Sequence, residues 1–181
     1  MTITTQAAPL QARDPLTIDR APSFAYRCVE EAVIAADVDT VYGALLRVEA
    51  WPAYLPHVLE IDVKYDDGQY QEFLMTVKSD TDGSPLRVRS IRNCTPGVIE
   101  FFQPEPPRFL AHHGGIWRFR AAGENTTHVE VTHVWNLDTP VAIAVFPFDE
   151  HGSTEEQVEA MLAGHSRLTL RSWQRVFAQE G

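Results

Sequence analysis

Ser153 to Ala178, STEEQVEAMLAGHSRLTLRSWQRVFA, is the one long segment with sustained helical periodicity, and it orients the rest of the chain. It opens with Ser153 and, three residues on, Glu156, a pair whose side chains satisfy free N–H groups at a helix start. At ~100° per residue, Val158, Leu162, His165, Thr169, Ser172 and Val176 fall on one line, flanked by Met161, Leu168 and Trp173. Glu156, Ala160, Arg167, Arg171 and Gln174 lie opposite. One face is therefore expected to be buried. Its middle carries His165, Thr169 and Ser172, which a dry core accepts only with hydrogen bonds. Either a wet cavity runs beside the helix, or these groups bond to backbone and to one another.

Upstream the pattern is that of strands. Val129, Val131, His133 and Trp135 share one face while His128, Glu130, Thr132 and Asn136 share the other, so His133 stands in an apolar row. In Ala111–Arg120, His113, Trp117 and Phe119 oppose Ile116, Arg118 and Arg120. Leu86, Val88, Ser90 and Arg92 share a face, which sends Arg92 inward with the apolar residues. Between these segments, Thr95-Pro96-Gly97 turns the chain into Val98–Gln103, and Pro104, Pro106 and Pro107 are expected to interrupt pairing. Leu59, Ile61, Val63 and Tyr65 alternate with polar residues, Asp67-Gly68 makes a turn, and Phe73, Met75 and Val77 continue a hairpin.

Nearer the N-terminus, Tyr26 to Ile34 reads as a strand, followed by helical spacing at Val38, Val41, Tyr42 and Leu45 and a proline-bounded aromatic turn, most simply a second short helix, at Trp51–Pro56. Residues 1–23 have no lasting period and read as a tail, leaving 24–181 as a single domain. The expected architecture is α+β: a curved antiparallel sheet of six or seven strands wrapped around the long C-terminal helix, with two short helices after the first strand.

Fifteen Lys and Arg against 25 Asp and Glu give a net charge of −10, which disfavours nucleic acid or an anionic membrane as the main partner. Arg167, Arg171 and Arg175 form the one local basic run on the last helix. Cys28 and Cys94 have no metal-ligand spacing and make no disulfide framework. With no basic start followed by an apolar run, and no apolar stretch near the ~18 residues that span a bilayer, a cytoplasmic location is expected.

Glycine-rich phosphate loops, paired-cysteine metal sites and nucleophile elbows are absent from the sequence, so no cofactor or metal is expected. What remains is a set of inward polar groups, Arg92, His113, His133, His165 and Thr169, beside apolar candidates for a pocket wall: Trp51, Phe73, Met75, Phe101, Trp117 and Trp135. An inward histidine is often a hydrogen-bonded core residue, and a tryptophan is more often core than ligand stacker. Arg92 is harder to assign to structure alone. A guanidinium keeps its charge, so burial requires either a carboxylate, for which Glu30 and Glu72 are candidates, or a cavity whose ligand carries oxygens.

From Cys28 to the last helix the chain resembles the START-related helix-grip superfamily and, within it, the aromatase/cyclases of bacterial type II polyketide synthases. The resemblance runs through Cys28–Tyr42, Trp51-Pro52, Arg89-Ser90-Ile91-Arg92, Trp117-Arg118-Phe119, Val131-Thr132-His133 and Met161–Leu170. It implies a helix-grip fold and a pocket in which an Arg and a His, here Arg92 and His133, fold and dehydrate a poly-β-ketone chain. The substrate implied is a polyketide or other aromatic small molecule, with an acyl carrier protein as a further candidate partner and a monomer or homodimer as the assembly. One branch of the family carries Asn-Ser-x-x-Asp on the helix. Here the run is His165-Ser166-Arg167-Leu168-Thr169, so Thr169 replaces the carboxylate. His165 and His113 are the groups placed to compensate. A non-catalytic carrier or sensor of an aromatic or isoprenoid ligand is the alternative, since the fold serves both.

Overall fold

The computed structural model describes residues 24–78 and 83–179. The expected tail, residues 1–23, lies outside the described residues. The first strand, β1 (Tyr26–Ile34), leads into helix α1 (Val38–Leu46), a 3-10 turn at Val48–Ala50, and the short helix α2 (Trp51–Tyr54). Asp37 starts α1: its carboxylate accepts from the Thr40 backbone N–H at 3.0 Å. Six strands follow: β2 (Val58–Asp66), β3 (Tyr70–Lys78), β4 (Pro85–Thr95), β5 (Val98–Glu105), β6 (Leu110–Gly123) and β7 (Thr126–Leu137). Helices α3 (Thr139–Val145) and α4 (Thr154–Gln179) complete the chain.

The seven strands form one antiparallel sheet in the order β1-β7-β6-β5-β4-β3-β2, curved around α4. Short local connections explain most of that order. At β4–β5, Pro96 takes the second position of the turn and Gly97 the third, where φ of +76° is open to glycine. Only β1 is brought back across the sheet, to pair with β7.

Helix α4 begins as its sequence requires. The Ser153 N–H donates to Glu156 Oε2 at 2.7 Å, and the Glu156 N–H donates to Ser153 Oγ at 3.2 Å. Leu170, Trp173 and Phe177 pack into the main core with Ile34, Val41, Leu45, Val58, Ile99, Phe119, Val129 and Val131. Toward its N-terminal end, Val158, Leu162 and Ala163 pack with Cys28, Leu110, Trp135 and Phe146 in a second cluster. The far side of the helix is tied to β1, where Arg167 Nη1 donates to Glu30 Oε1 at 2.6 Å and Gln174 Nε2 donates to the Val33 carbonyl at 3.0 Å. Arg167 is thus engaged, whereas Arg171 and Arg175 are exposed.

Four details depart from the expected pattern. The apolar row of β2 is not a core row: Leu59, Val63 and Tyr65 are exposed, and only Ile61 packs on the core. As an edge strand with two register shifts, β2 runs beyond the cover of the helix. Pro104 does not end β5, because the strand runs through it to Glu105 opposite a register shift between Arg89 and Ile91. Helix α3 is additional, started by Asp138, whose side chain accepts from the Val141 N–H at 3.4 Å, and by Pro140 in its first turn. The buried arc of α4 is also wider than one stripe, taking in Ala163, Ser166, Leu170 and Phe177, since a curved sheet covers more of a helix than a flat one. Among the described residues no helix is long and apolar enough to cross a membrane.

Candidate active-site cavity

Between α4 and the concave face of β3–β7 lies a cavity of about 190 Å³. Of the eleven residues singled out from the sequence, ten line it: Trp51, Phe73, Met75, Arg92, Phe101, His113, Trp117, His133, His165 and Thr169. Trp135 does not. It is fully buried in the second core cluster and stacked on Tyr26, with ring centroids 5.9 Å apart, because the N-terminal half of α4 and Phe146 cover that part of the sheet.

The strand register gives the cavity its layout. Arg92 on β4 pairs with Phe101 on β5, Phe101 with Gly115 on β6, and Gly115 with His133 on β7, so the four form one row across the sheet. Gly115 is required there. A Cβ at this position would lie 2.5 Å from the Phe101 ring and would collide with the Thr132 carbonyl. With no side chain at 115, the Phe101 ring reaches His133, their centroids 5.2 Å apart. The next row places Gln103 beside His113 and His113 beside Trp135.

At one end of the row, Arg92 is 3 % exposed. Its Nη2 donates to the Leu45 carbonyl at 3.0 Å, while Nε and Nη1 have no hydrogen-bond partner among the described residues. Neither carboxylate suggested by the sequence reaches it: Glu30 binds Arg167, and Glu72 binds Arg89 at 2.7 Å. Its guanidinium lies instead over the rings of Trp51, at 5.4 Å, and Phe73, at 5.9 Å. Burial pushes its pKa down, against the opposing pull of Cys94, Tyr42 and Asp66. The Trp51 indole N–H beside it also lacks an acceptor among the described residues. Buried donors without acceptors are costly, and an oxygen placed at this end of the cavity would satisfy them.

At the other end, His133 Nδ1 lies 2.8 Å from His113 Nε2, and His113 Nδ1 lies 2.7 Å from Gln103 Oε1. Burial, and then the neighbouring His165, pull the His133 pKa down to about 4. Burial, His133 and His165 hold His113 well below its ordinary value. Both imidazoles are neutral at neutral pH. On the helix side, Thr169 Oγ1 is 3.2 Å from His57 Nε2, and the His57 and His165 rings stack with centroids 6.2 Å apart. Ser166 and Ser172 are satisfied locally, donating to the Leu162 and Leu168 carbonyls at 3.0 and 2.9 Å. The two explanations open for the polar helix face therefore divide between neighbouring residues.

Gln103, His57 and Ser166 were not among the sequence candidates. Gln103 is two residues on from Phe101 along β5, and Ser166 is four on from Leu162 along α4, so periodicity carried a signal for both. His57 lies in the turn before β2 and has no such signal. Among the described residues, no group of three His, Cys, Asp or Glu side chains is placed to hold a metal ion.

Comparison with solved structures places these features in context. The di-domain ARO/CYC BexL from the BE-7585A biosynthetic pathway superimposes with a TM-score of 0.72 at 26% identity, over 83% of this chain and 49% of that one. The di-domain ARO/CYC StfQ from the steffimycin biosynthetic pathway gives 0.74 at 24% identity, over 85% of this chain and 51% of that one. This chain thus spans about half the length of each. The Zhui aromatase/cyclase from Streptomyces sp. R1128 gives 0.71 at 20% identity, over 85% of this chain and 94% of that one. These likenesses bear out the helix-grip fold. No curated protein sequence matches the chain. The sequence profile of the polyketide cyclase / dehydrase and lipid transport family matches residues 34–162, which is most of the chain, and the chain belongs to that family.

Proposed function

We propose that the protein is a polyketide aromatase/cyclase, which folds a poly-β-ketone chain in the cavity and promotes aldol closure and loss of water. The observation that carries this reading is Arg92, buried on the cavity wall with two N–H-bearing nitrogens that have no hydrogen-bond partner among the described residues, while Glu30 and Glu72 pair elsewhere. A permanent cation held in this way suits an oxygen that becomes negative during reaction. In the proposed mechanism, Arg92 and the Trp51 N–H hold a carbonyl oxygen of the chain. Neutral His133 removes a proton from the carbon between two carbonyls, and the charge develops on the oxygen facing Arg92 as the enolate forms. After the new carbon–carbon bond closes, the His133 imidazolium returns its proton to the alkoxide, making a hydroxyl; neutral His133 then removes the second proton of the same carbon and passes it to that hydroxyl, which leaves as water as the carbon–carbon double bond forms. Proton transfer of this kind is worth ~10²–10⁴ in rate, and the apolar walls of Phe73, Met75, Phe101 and Trp117 fix one folded form of the chain. The chain is delivered as a thioester of an acyl carrier protein.

A non-catalytic carrier of an aromatic ligand is the second reading. Thr169 favours it: this hydroxyl bonds His57, and no carboxylate side chain bonds His133 among the described residues. Reconstitution with a minimal type II polyketide synthase separates the two. Wild-type protein is expected to shift the products toward a single aromatised skeleton, whereas His133→Ala and a protein-free reaction give the same unsorted mixture. Identical product profiles in all three would overturn the cyclase reading and leave the carrier.

A further inference from the structure

We propose that Gln103 and His113 are positioning residues that fix the tautomer of His133, so that its Nε2 faces the cavity as a lone pair. The inference rests on the cyclase reading only for its catalytic consequence; the tautomer itself follows from the contacts. An amide oxygen only accepts, so Gln103 Oε1 at 2.7 Å places the His113 proton on Nδ1. His113 is neutral and carries one ring proton, so its Nε2 is an acceptor, and the 2.8 Å contact places the His133 proton on Nδ1 as well. His133 Nε2 then holds the lone pair, on a ring that lines the cavity. Cys28 pairs with His133 on the far strand, with its thiol pushed up to about 11 by burial and therefore neutral, and His165 faces the pair from α4. No carboxylate side chain bonds either imidazole among the described residues, so the amide of Gln103 sets the direction of the chain.

The direction decides what His133 can do. Run as described, the chain gives a base at Nε2. A proton taken there makes an imidazolium whose Nδ1–H still donates to His113, and that proton is given back to the product oxygen before the next is taken, so the relay ends each transfer as it began. Run in reverse, with the Gln103 amide N–H donating to His113, each imidazole would carry its proton on Nε2. His133 would then present only an N–H donor to the cavity and could not abstract a proton.

Long-range ¹H–¹⁵N correlation of the histidine rings in uniformly labelled, ligand-free protein at neutral pH reads this directly, with assignment through His113→Gln and His133→Gln. The expected pattern is protonated Nδ1 and bare Nε2 for both residues. Gln103→Leu removes the acceptor and is expected to move both histidines toward the Nε2–H form; Gln103→Glu keeps an acceptor and is expected to keep the Nδ1–H pattern. In the reconstituted reaction Gln103→Leu is expected to lower kcat by about 10²-fold or more with little change in KM, the loss of a general base. His133 protonated on Nε2 in the wild-type protein would overturn the proposal, even where a variant fails to fold. An unchanged His133 pattern in folded Gln103→Leu would overturn the role of Gln103. Since the spectra need no substrate, the expected tautomer together with product profiles that ignore the protein would sink the cyclase reading and leave the relay standing.

Discussion

Arg92 and His133 stand in the same row of the sheet, three strands apart, with the Phe101 ring between them in the space left by Gly115. At ~4.8 Å per strand their backbones are about 14 Å apart along the sheet. A buried cation and a neutral imidazole thus face one cavity from opposite ends, separated by an aromatic wall.

Gly115 is the least replaceable member of that row. Gly115→Ala is expected to displace the Phe101 ring and strain the strand beside Thr132, costing ~1–3 kcal/mol as overpacking does. Urea midpoints check this. Adding Phe101→Leu to Gly115→Ala should recover part of the loss, although Phe101→Leu alone destabilises. Equal midpoints for wild type and Gly115→Ala would contradict the packing described.

Arg92 should cost stability in the empty protein. A buried charge without a counter-ion is commonly neutral or unfavourable beside an apolar residue of similar volume, by about 1–4 kcal/mol. Arg92→Met is therefore expected to raise the Tm of the ligand-free protein, measured by calorimetry, despite losing the bond to the Leu45 carbonyl. A large fall in Tm would assign the guanidinium to structure.

The histidines make stability depend on pH in a definite sense. In the unfolded chain His133 titrates near 6.5, but folding holds it to about 4, so between those values the unfolded state binds more protons. Its contribution is fully present above about pH 6.5 and is lost as pH falls toward about 4. At ~1.4 kcal/mol per pH unit between the two pKa values, the loss is on the order of 3 kcal/mol, and His113 adds to it in the same sense. Unfolding free energies measured from about pH 7 to about pH 4.5 should fall, and His133→Gln should flatten the curve. Parallel curves would contradict the burial of His133 as a neutral group.

Thr169→Asp is expected not to restore a family-like carboxylate at His133. Thr169 faces His57, so a carboxylate there would pair with that imidazole and raise its pKa, which NMR titration would show. The product profile should stay as in wild type or worsen. Enhanced dehydration would show that the helix carboxylate acts at His133 after all.

The residues that periodicity could place were placed well, and the reasons for the misses are physical. Arg92 and His133 alternate with apolar neighbours on interior strands, where a single register fixes the face, so both could be read inward from sequence. On β2 the same alternation marks a strand but not a buried face, since an edge strand shows the pattern without the cover. Trp135 shares a face with His133, but whether a position on that face meets cavity or helix depends on where α4 and Phe146 lie, which no local pattern encodes. His57 comes from a turn and reaches the site only through the tertiary arrangement, and the Gln103–His113–His133 chain exists only once three strands are in register.

The most direct test of the central claim, that Arg92 is completed by an oxygen of a ligand lying in the cavity, is a fluorescence titration of a hydroxynaphthoate against wild-type and Arg92→Met protein, both shown to be folded. Trp51 and Trp117 line the cavity and report binding. A charge-assisted hydrogen bond is worth ~1.5–3 kcal/mol, so Arg92→Met should weaken binding by roughly 10- to 150-fold while a naphthalene lacking oxygens binds both proteins alike. Equal affinity of the hydroxynaphthoate for the two proteins would contradict the account.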